Sequence, residues 1–208
     1  MTQGSILLLT SVADRTSPVQ RGKWVLQVLL GAPPPPPPPN VPALEDTKPA
    51  VDGRLLSVRE RMEQHRSNPA CVSCHRVIDP IGLALENFDV VGRYRIKDNG
   101  VAVDATGRLY DGTPMEGAAG LRQALLKHKE SFLMNFAENL MTYALGRRIE
   151  PYDMPALRAI VRDAGKQNDQ IGAFIAGITR SAAFQMSRHA PVETAADPAR
   201  DQGLGIRD

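Results

Sequence analysis

The sequence predicts a mainly α-helical fold with one small β-hairpin and an extended, proline-rich arm near the N-terminus. Three observations carry this expectation. Apolar residues recur at three- and four-residue steps through the second half of the chain. Seven consecutive prolines, Pro33 to Pro39, interrupt the first quarter and favour an extended polyproline II rod. The stretch from Val101 to Tyr110 looks like a small hairpin, with Val101, Val103 and Leu109 separated by Asp104 and Gly107.

Composition narrows the function classes. With 208 residues the chain can bury one medium core or two small ones. Its 25 Lys and Arg against 23 Asp and Glu leave a net charge of +2, which argues against bulk nucleic-acid binding. No apolar run approaches about 18 residues, so no membrane span is expected. The 2 cysteines cannot frame a disulfide scaffold in a chain this long.

In chain order, Ile6 to Leu9 is a short apolar run, expected as strand or loop. It lacks the basic start and the length of a secretory signal. Arg21 to Leu30 reads as a short helix or strand stopped by Gly31. Beyond the prolines, Ser57 and Glu60 have capping-box spacing and open a helix that should end near Arg66, before Asn68-Pro69. The region from Cys71 to Asn99 reads as mostly turns, with a short helix around Leu83 to Asn87. After the hairpin, Leu121 and Leu125 mark a helix from Ala118 to His128. Phe132, Phe136, Leu140 and Tyr143 mark a longer one that stops at Gly146. Asp153 is placed to cap a helix with Pro155 in its first turn and Leu157, Ile160 and Val161 on its apolar face. Ile171, Phe174, Ile175 and Ile178 form the last amphipathic helix, and the tail after His189 is expected to be disordered. The expected partition is 1–32 as a segment continuing an upstream domain, 33–53 as linker, 54–150 as the main domain, 151–188 as a helical pair packed on it, and 189–208 as tail.

The residues that carry chemistry are Cys71-Val72-Ser73-Cys74-His75, a CxxCH motif. This spacing is the attachment signature of c-type haem: two thiols meet the two vinyl groups of one porphyrin, and the adjacent histidine becomes the proximal iron ligand. Three other readings compete. A thioredoxin-like dithiol would want a βαβ setting. A zinc site needs four ligands, and only His65, Cys71, Cys74 and His75 are nearby. The plainest alternative is two ordinary cysteines beside a histidine.

The segment HRSNPACVSCHRVIDPIGLALENFD resembles the cytochrome-c-type segment near the C-terminus of large multidomain planctomycete-type secreted proteins. RTSPVQRGKWVLQVLLGAPPPPPPPNVP before it, and LMTYALGRRIEPYDMPALRAIV with SAAFQMSR after it, are similar to the paired C-terminal domains of unknown function in those proteins. The resemblance covers residues 4 to about 188. It implies a cytochrome-c-like helical module with one covalent haem c, exported to the periplasm although no convincing signal peptide is present. It also implies upstream domains of a larger parent and a redox partner protein.

The remaining site residues are expectations around that haem. Met115, in the loop Asp111-Gly-Thr-Pro-Met-Glu-Gly117, and His65 are alternative sixth iron ligands. His65 could instead bond a propionate, with iron left five-coordinate. Met62, Met134, Met141, Met154 and Met186 read as core residues, and His128 and His189 as solvated. Pro80 and Gly82 are expected to turn the chain beside the porphyrin, a carbonyl of that turn accepting the Nδ1 proton of His75. Arg66, Arg93 and Arg95 are candidates to pair with propionates. The leading expectation is an electron-transfer module cycling Fe(III) and Fe(II). A haem peroxidase- or oxidase-like domain with an open distal side, and a structural haem in an interaction module, are the alternatives.

Overall fold

The computed structural model describes residues 1–37, 56–66 and 69–186. Most of the proline-rich linker, expected to be an extended rod, and the tail after His189, expected to be disordered, lie outside the described residues. Among the described residues the chain is mainly helical with two small antiparallel hairpins, and it divides within the helix Lys129–Leu145 into two compact units, Met1–Leu140 and Met141–Asp208.

The first unit begins with α1 (Gly4–Leu9), where a strand or loop was expected. Leu7 is buried, and the Thr10 and Ser11 hydroxyls turn back onto the helix carbonyls of Ile6 and Leu7. α2 (Pro18–Trp24) starts as its sequence dictates: Ser17 Oγ accepts from the Gln20 amide at 3.3 Å, and Pro18 supplies a preset φ at the first position. It continues as a π-helical turn, Val25–Leu29, and ends at Gly31, whose φ of +65° suits a residue without Cβ. Residues 1–32, set apart in the sequence reading, are thus built into this unit.

α3 (Val58–His65) carries the expected capping box, the Ser57 and Glu60 groups bonding each other's backbone amides. α4 (Pro69–Leu83) replaces the turns expected from Cys71 to Leu83; the turns expected beyond it are present, and they include residues 84–87, where a short helix was expected. Pro80 lies inside α4 and does not form a turn. Its ring forfeits the helical bond to the Arg76 carbonyl, a cost of about 3 kcal/mol. Against that, Ile78, Ile81 and Leu83 are almost wholly buried, each contributing about 1.5–3 kcal/mol. Burial wins, and the helix runs through the proline.

α2 and α4 touch backbone to backbone. A Cβ on Gly22 would lie 2.1 Å from the Ile78 carbonyl oxygen, and one on Gly82 would lie 1.8 Å from that of Pro18. Gly82 therefore serves close packing, not chain reversal.

Two hairpins stand where one was expected. β1 (Lys97–Asp98) pairs with β2 (Val101–Ala102) across Asn99-Gly100, both at positive φ, the turn that matches strand twist. β3 (Thr106–Arg108) pairs with β4 (Pro114–Glu116), Gly107 facing Met115. Gly107 sits against Pro80, where a Cβ would come within 3.1 Å of the proline, so β3 lies on α4. α5 (Gly117–Leu126) and α6 (Lys129–Leu145) follow as the periodicity predicts, and α6 stops at Gly146 at φ +64°. The core of the first unit joins Val25, Leu26, Ile78, Ile81 and Leu85 to Leu109, Met115 and Leu121.

The second unit contains a 3-10 turn at Pro151–Asp153, α7 (Met154–Gly165), α8 (Ile171–Thr179) and the short α9 (Ala182–Gln185). Leu157, Ile160, Ala164, Phe174 and Ile178 are buried at the α7–α8 packing. Asp153 stands at the N-cap of α7 without capping it. Its carboxylate instead accepts two bonds from Arg147, at 2.7 and 3.0 Å, and one from the Glu150 amide at 2.9 Å.

Candidate functional site

α4 sets out the motif. Residues three and four apart share a helix face, so Cys71, Cys74 and His75 form one patch, continued a turn later by Ile78 and Asp79. Both cysteines are free thiols; Cys71 is buried and Cys74 half-buried. The His75 Nδ1–H donates to Asp79 Oδ1 at 2.8 Å. That partner is a side chain of the same helix, where the sequence expectation was a turn carbonyl. The reason is α4 itself: an unbroken helix brings residue i+4 under residue i, so a side chain reaches the ring first.

Asp79 is fully buried. Among the described residues its second oxygen has no hydrogen-bond partner, and the Arg66 Nε stands 3.6 Å away. Arg66 also approaches Glu63 at 3.7 Å. The result is a chain of three groups, Arg66, Asp79 and His75, with the carboxylate in the middle.

Cys74 borders an apolar cleft of about 350 Å³ walled by Leu26, Leu30, Val77, Ile78 and the start of the proline arm at Pro34 and Pro35. That volume falls at the lower end of about 300–1,000 Å³ for ligand and cofactor pockets. Tyr110 also lines it and is held from behind, its hydroxyl 3.0 Å from His128 Nδ1. His128 Nε2 lies 3.1 Å from Asp111, so His128 fastens the tip of the second hairpin where the sequence suggested a solvated residue. The Thr113 amide donating to Asp111, with further help from the Thr113 hydroxyl and His128, holds that carboxyl below its usual range.

The other expected site residues are placed as follows. Met115 is buried in β4 within the core, next to Leu109 and Leu121, and does not line the Cys74 cleft. His65 is the last residue of α3, and its side chain lies outside the described residues. Pro80 faces β3 from within α4. Arg93 is exposed, its amide bonded to Asp89 Oδ1 at 2.8 Å. Arg95 is committed to Glu86 at 2.7 Å, Asp98 at 3.0 Å and Thr16 at 3.0 Å. Among the described residues no group of three or more His, Cys, Asp or Glu side chains is arranged to hold a metal ion. No described helix is long and apolar enough to cross a membrane.

Sequence reasoning missed the buried ion pair that supports α4. Arg21 on α2 is buried and bonds Glu86 Oε1 at 3.1 Å and the carbonyls of Leu85, Phe88 and Asp89 at 2.8–2.9 Å. Its signal was a lone glutamate inside the apolar run Ile81 to Phe88.

Residues 1–98 match the family model described as protein of unknown function (DUF1588), and residues 111–184 match that described as protein of unknown function (DUF1585). The chain therefore carries these two domains in tandem, the C-terminal pair of planctomycete-type proteins. No curated protein and no solved structure matches it.

Proposed function

We propose that this chain is a c-type cytochrome module of a larger exported redox protein, with one haem attached through Cys71 and Cys74 and its iron held by His75. The observation that supports this most is the face of α4, which carries two free thiols and an imidazole whose Nδ1 proton is already engaged by Asp79. In the neutral ring that engagement leaves the lone pair on Nε2, the atom an iron would take. The donor set fits a haem c site: thiols at i and i+3, the histidine next to the second, and an apolar cleft beside Cys74.

When bound, the haem supplies one-electron Fe(III)/Fe(II) chemistry. The chain's own part is attachment, orientation and exclusion of water. Cys71 and Cys74 would hold the group through two thioethers, each S–H adding across one vinyl group with no atom lost. Leu26, Leu30, Val77 and Ile78 offer apolar walls, and Tyr110 an edge with a polar tip. His65 is the sixth-ligand candidate this reading keeps, since Met115 is buried in the core and does not line the Cys74 cleft. A relay of electrons between an upstream domain and a separate redox partner is the role this reading assigns. Because haem c is attached outside the cytoplasm, the module belongs to the periplasm or another exported compartment.

The test is to produce the chain in the bacterial periplasm with a haem c maturation system and to weigh it. A gain of about 616 Da, one haem added through two thioethers, is expected, and Cys71→Ser with Cys74→Ser should abolish it. An intact chain recovered at its unmodified mass under conditions that load a control cytochrome c would overturn the proposal.

A further inference from the structure

We propose that Asp79 is a positioning residue for the iron. Its buried carboxylate holds the His75 ring through Nδ1 and lowers the reduction potential of the bound haem, while Arg66 opposes that effect. The inference rests on the haem reading above and assigns a tuning device to the same site.

The geometry begins with α4. A helix that broke before Pro80 would offer His75 a backbone carbonyl, a neutral acceptor. Because α4 runs on through Pro80, the group at i+4 is a side chain, and that side chain is an aspartate. The 2.8 Å separation lies in the range of charge-assisted hydrogen bonds. Asp79 is fully buried, and a bond of this kind is electrostatically stronger in a low-dielectric interior than in water. Among the described residues Oδ2 has no hydrogen-bond donor, and the Arg66 Nε stands 3.6 Å from it.

The chemical consequence follows from linkage between ligand and metal. A carboxylate accepting the Nδ1 proton raises the basicity of Nε2 and fixes the plane of the ring. A more basic ligand favours Fe(III), the more highly charged ion, over Fe(II), and so lowers the potential. Arg66 pulls charge from the far oxygen of the same carboxylate and works in the opposite sense. Arg66 is half-buried and shared with Glu63, so it is open to substitution without emptying the core.

The experiment compares the haem-loaded wild-type chain with Asp79→Asn and Arg66→Gln by spectroelectrochemical titration. Asp79→Asn should shift the Fe(III)/Fe(II) equilibrium about tenfold toward Fe(II), a rise of about 59 mV for a one-electron couple. Arg66→Gln should move the potential the other way. A role confined to folding has no reason to produce opposite signs. In the haem-free chain, nitrogen-15 NMR should find the His75 proton on Nδ1 in the wild type and a mixture of tautomers in Asp79→Ala. Failure of the wild type to take haem overturns the functional reading and this inference with it. A loaded chain in which the two variants do not split in sign, or a wild-type His75 protonated on Nε2 alone, overturns this inference and leaves the haem reading standing.

Discussion

Arg21 is the largest fully buried side chain among the described residues, at 1 % exposure. Burial pulls its guanidinium toward the neutral form, Glu86 opposes this, and Arg95 adds a like charge nearby. What holds the cation in place is the number of its acceptors: one carboxylate and three carbonyls from the segment that follows α4. Removing one partner of a buried pair costs more than the pair itself contributes, because the remaining groups stay dry and unbonded. Arg21→Met should therefore lower stability by about 3–5 kcal/mol, read as a shift of the urea midpoint with the slope unchanged. A loss below about 1 kcal/mol, the scale of an exposed pair, would show that the pair is dispensable. At this scale the sequence was legible where chemistry is compressed into neighbours. Cys71, Cys74 and His75 announce themselves by spacing alone. Asp79 and Glu86 do not, because their partners become partners only once α4 exists and α2 lies against it.

At the scale of elements, α2 and α4 form the part on which the site depends, and their contact is made by the absence of side chains. Gly82 sits 1.8 Å, by its missing Cβ, from a carbonyl oxygen that belongs to backbone and cannot rotate away. Gly82→Ala must push α2 and α4 apart, which also loosens Ile78 and Ile81 in the core between them. Overpacking of this kind costs about 1–3 kcal/mol. Gly172→Ala in α8 is the internal control. No described residue lies within 4 Å of its missing Cβ, and alanine in a helix gains about 0.5–1 kcal/mol over glycine. The expected pair of results, read from thermal melts, is a fall for Gly82→Ala and no change or a rise for Gly172→Ala. Equal melting temperatures would refute the close-packing account. The same contact explains why α4 was not visible in the sequence. Pro69 and Pro80 and the glycine at 82 are local signals for turns, and only the burial of Ile78, Ile81 and Leu83 against another element overrides them. The helices without such conflict, α5 to α8, were legible from periodicity. The Asn99-Gly100 turn carried a plain hairpin signal that went unread.

At the scale of the molecule, the first family match and the first compact unit do not end at the same place. The match stops at residue 98, whereas the unit runs to Leu140. The difference has physical content. Leu109, Met115, Leu121 and Ala124 lie beyond residue 98 and are buried in the same cluster as Val25, Leu26, Ile78 and Ile81. Three of these four are large, and burial of each contributes about 1.5–3 kcal/mol. Their sum is comparable with the whole net stability of a domain, about 5–15 kcal/mol. β3 also covers Pro80 on α4, so its loss would bare the helix that carries the motif. A chain ending after residue 98 is therefore expected to keep some helical circular dichroism yet unfold without a cooperative transition, and to give a poorly dispersed proton NMR spectrum. The full chain should melt cooperatively and show resolved amide signals for Ile78 and Leu121. If residues 1–98 alone melted as sharply as the full chain, the core would not need its second half. The cluster joining α2, α4, β4 and α5 would then be two cores in contact, and the support for the Cys74 cleft would have to be sought within the first 98 residues.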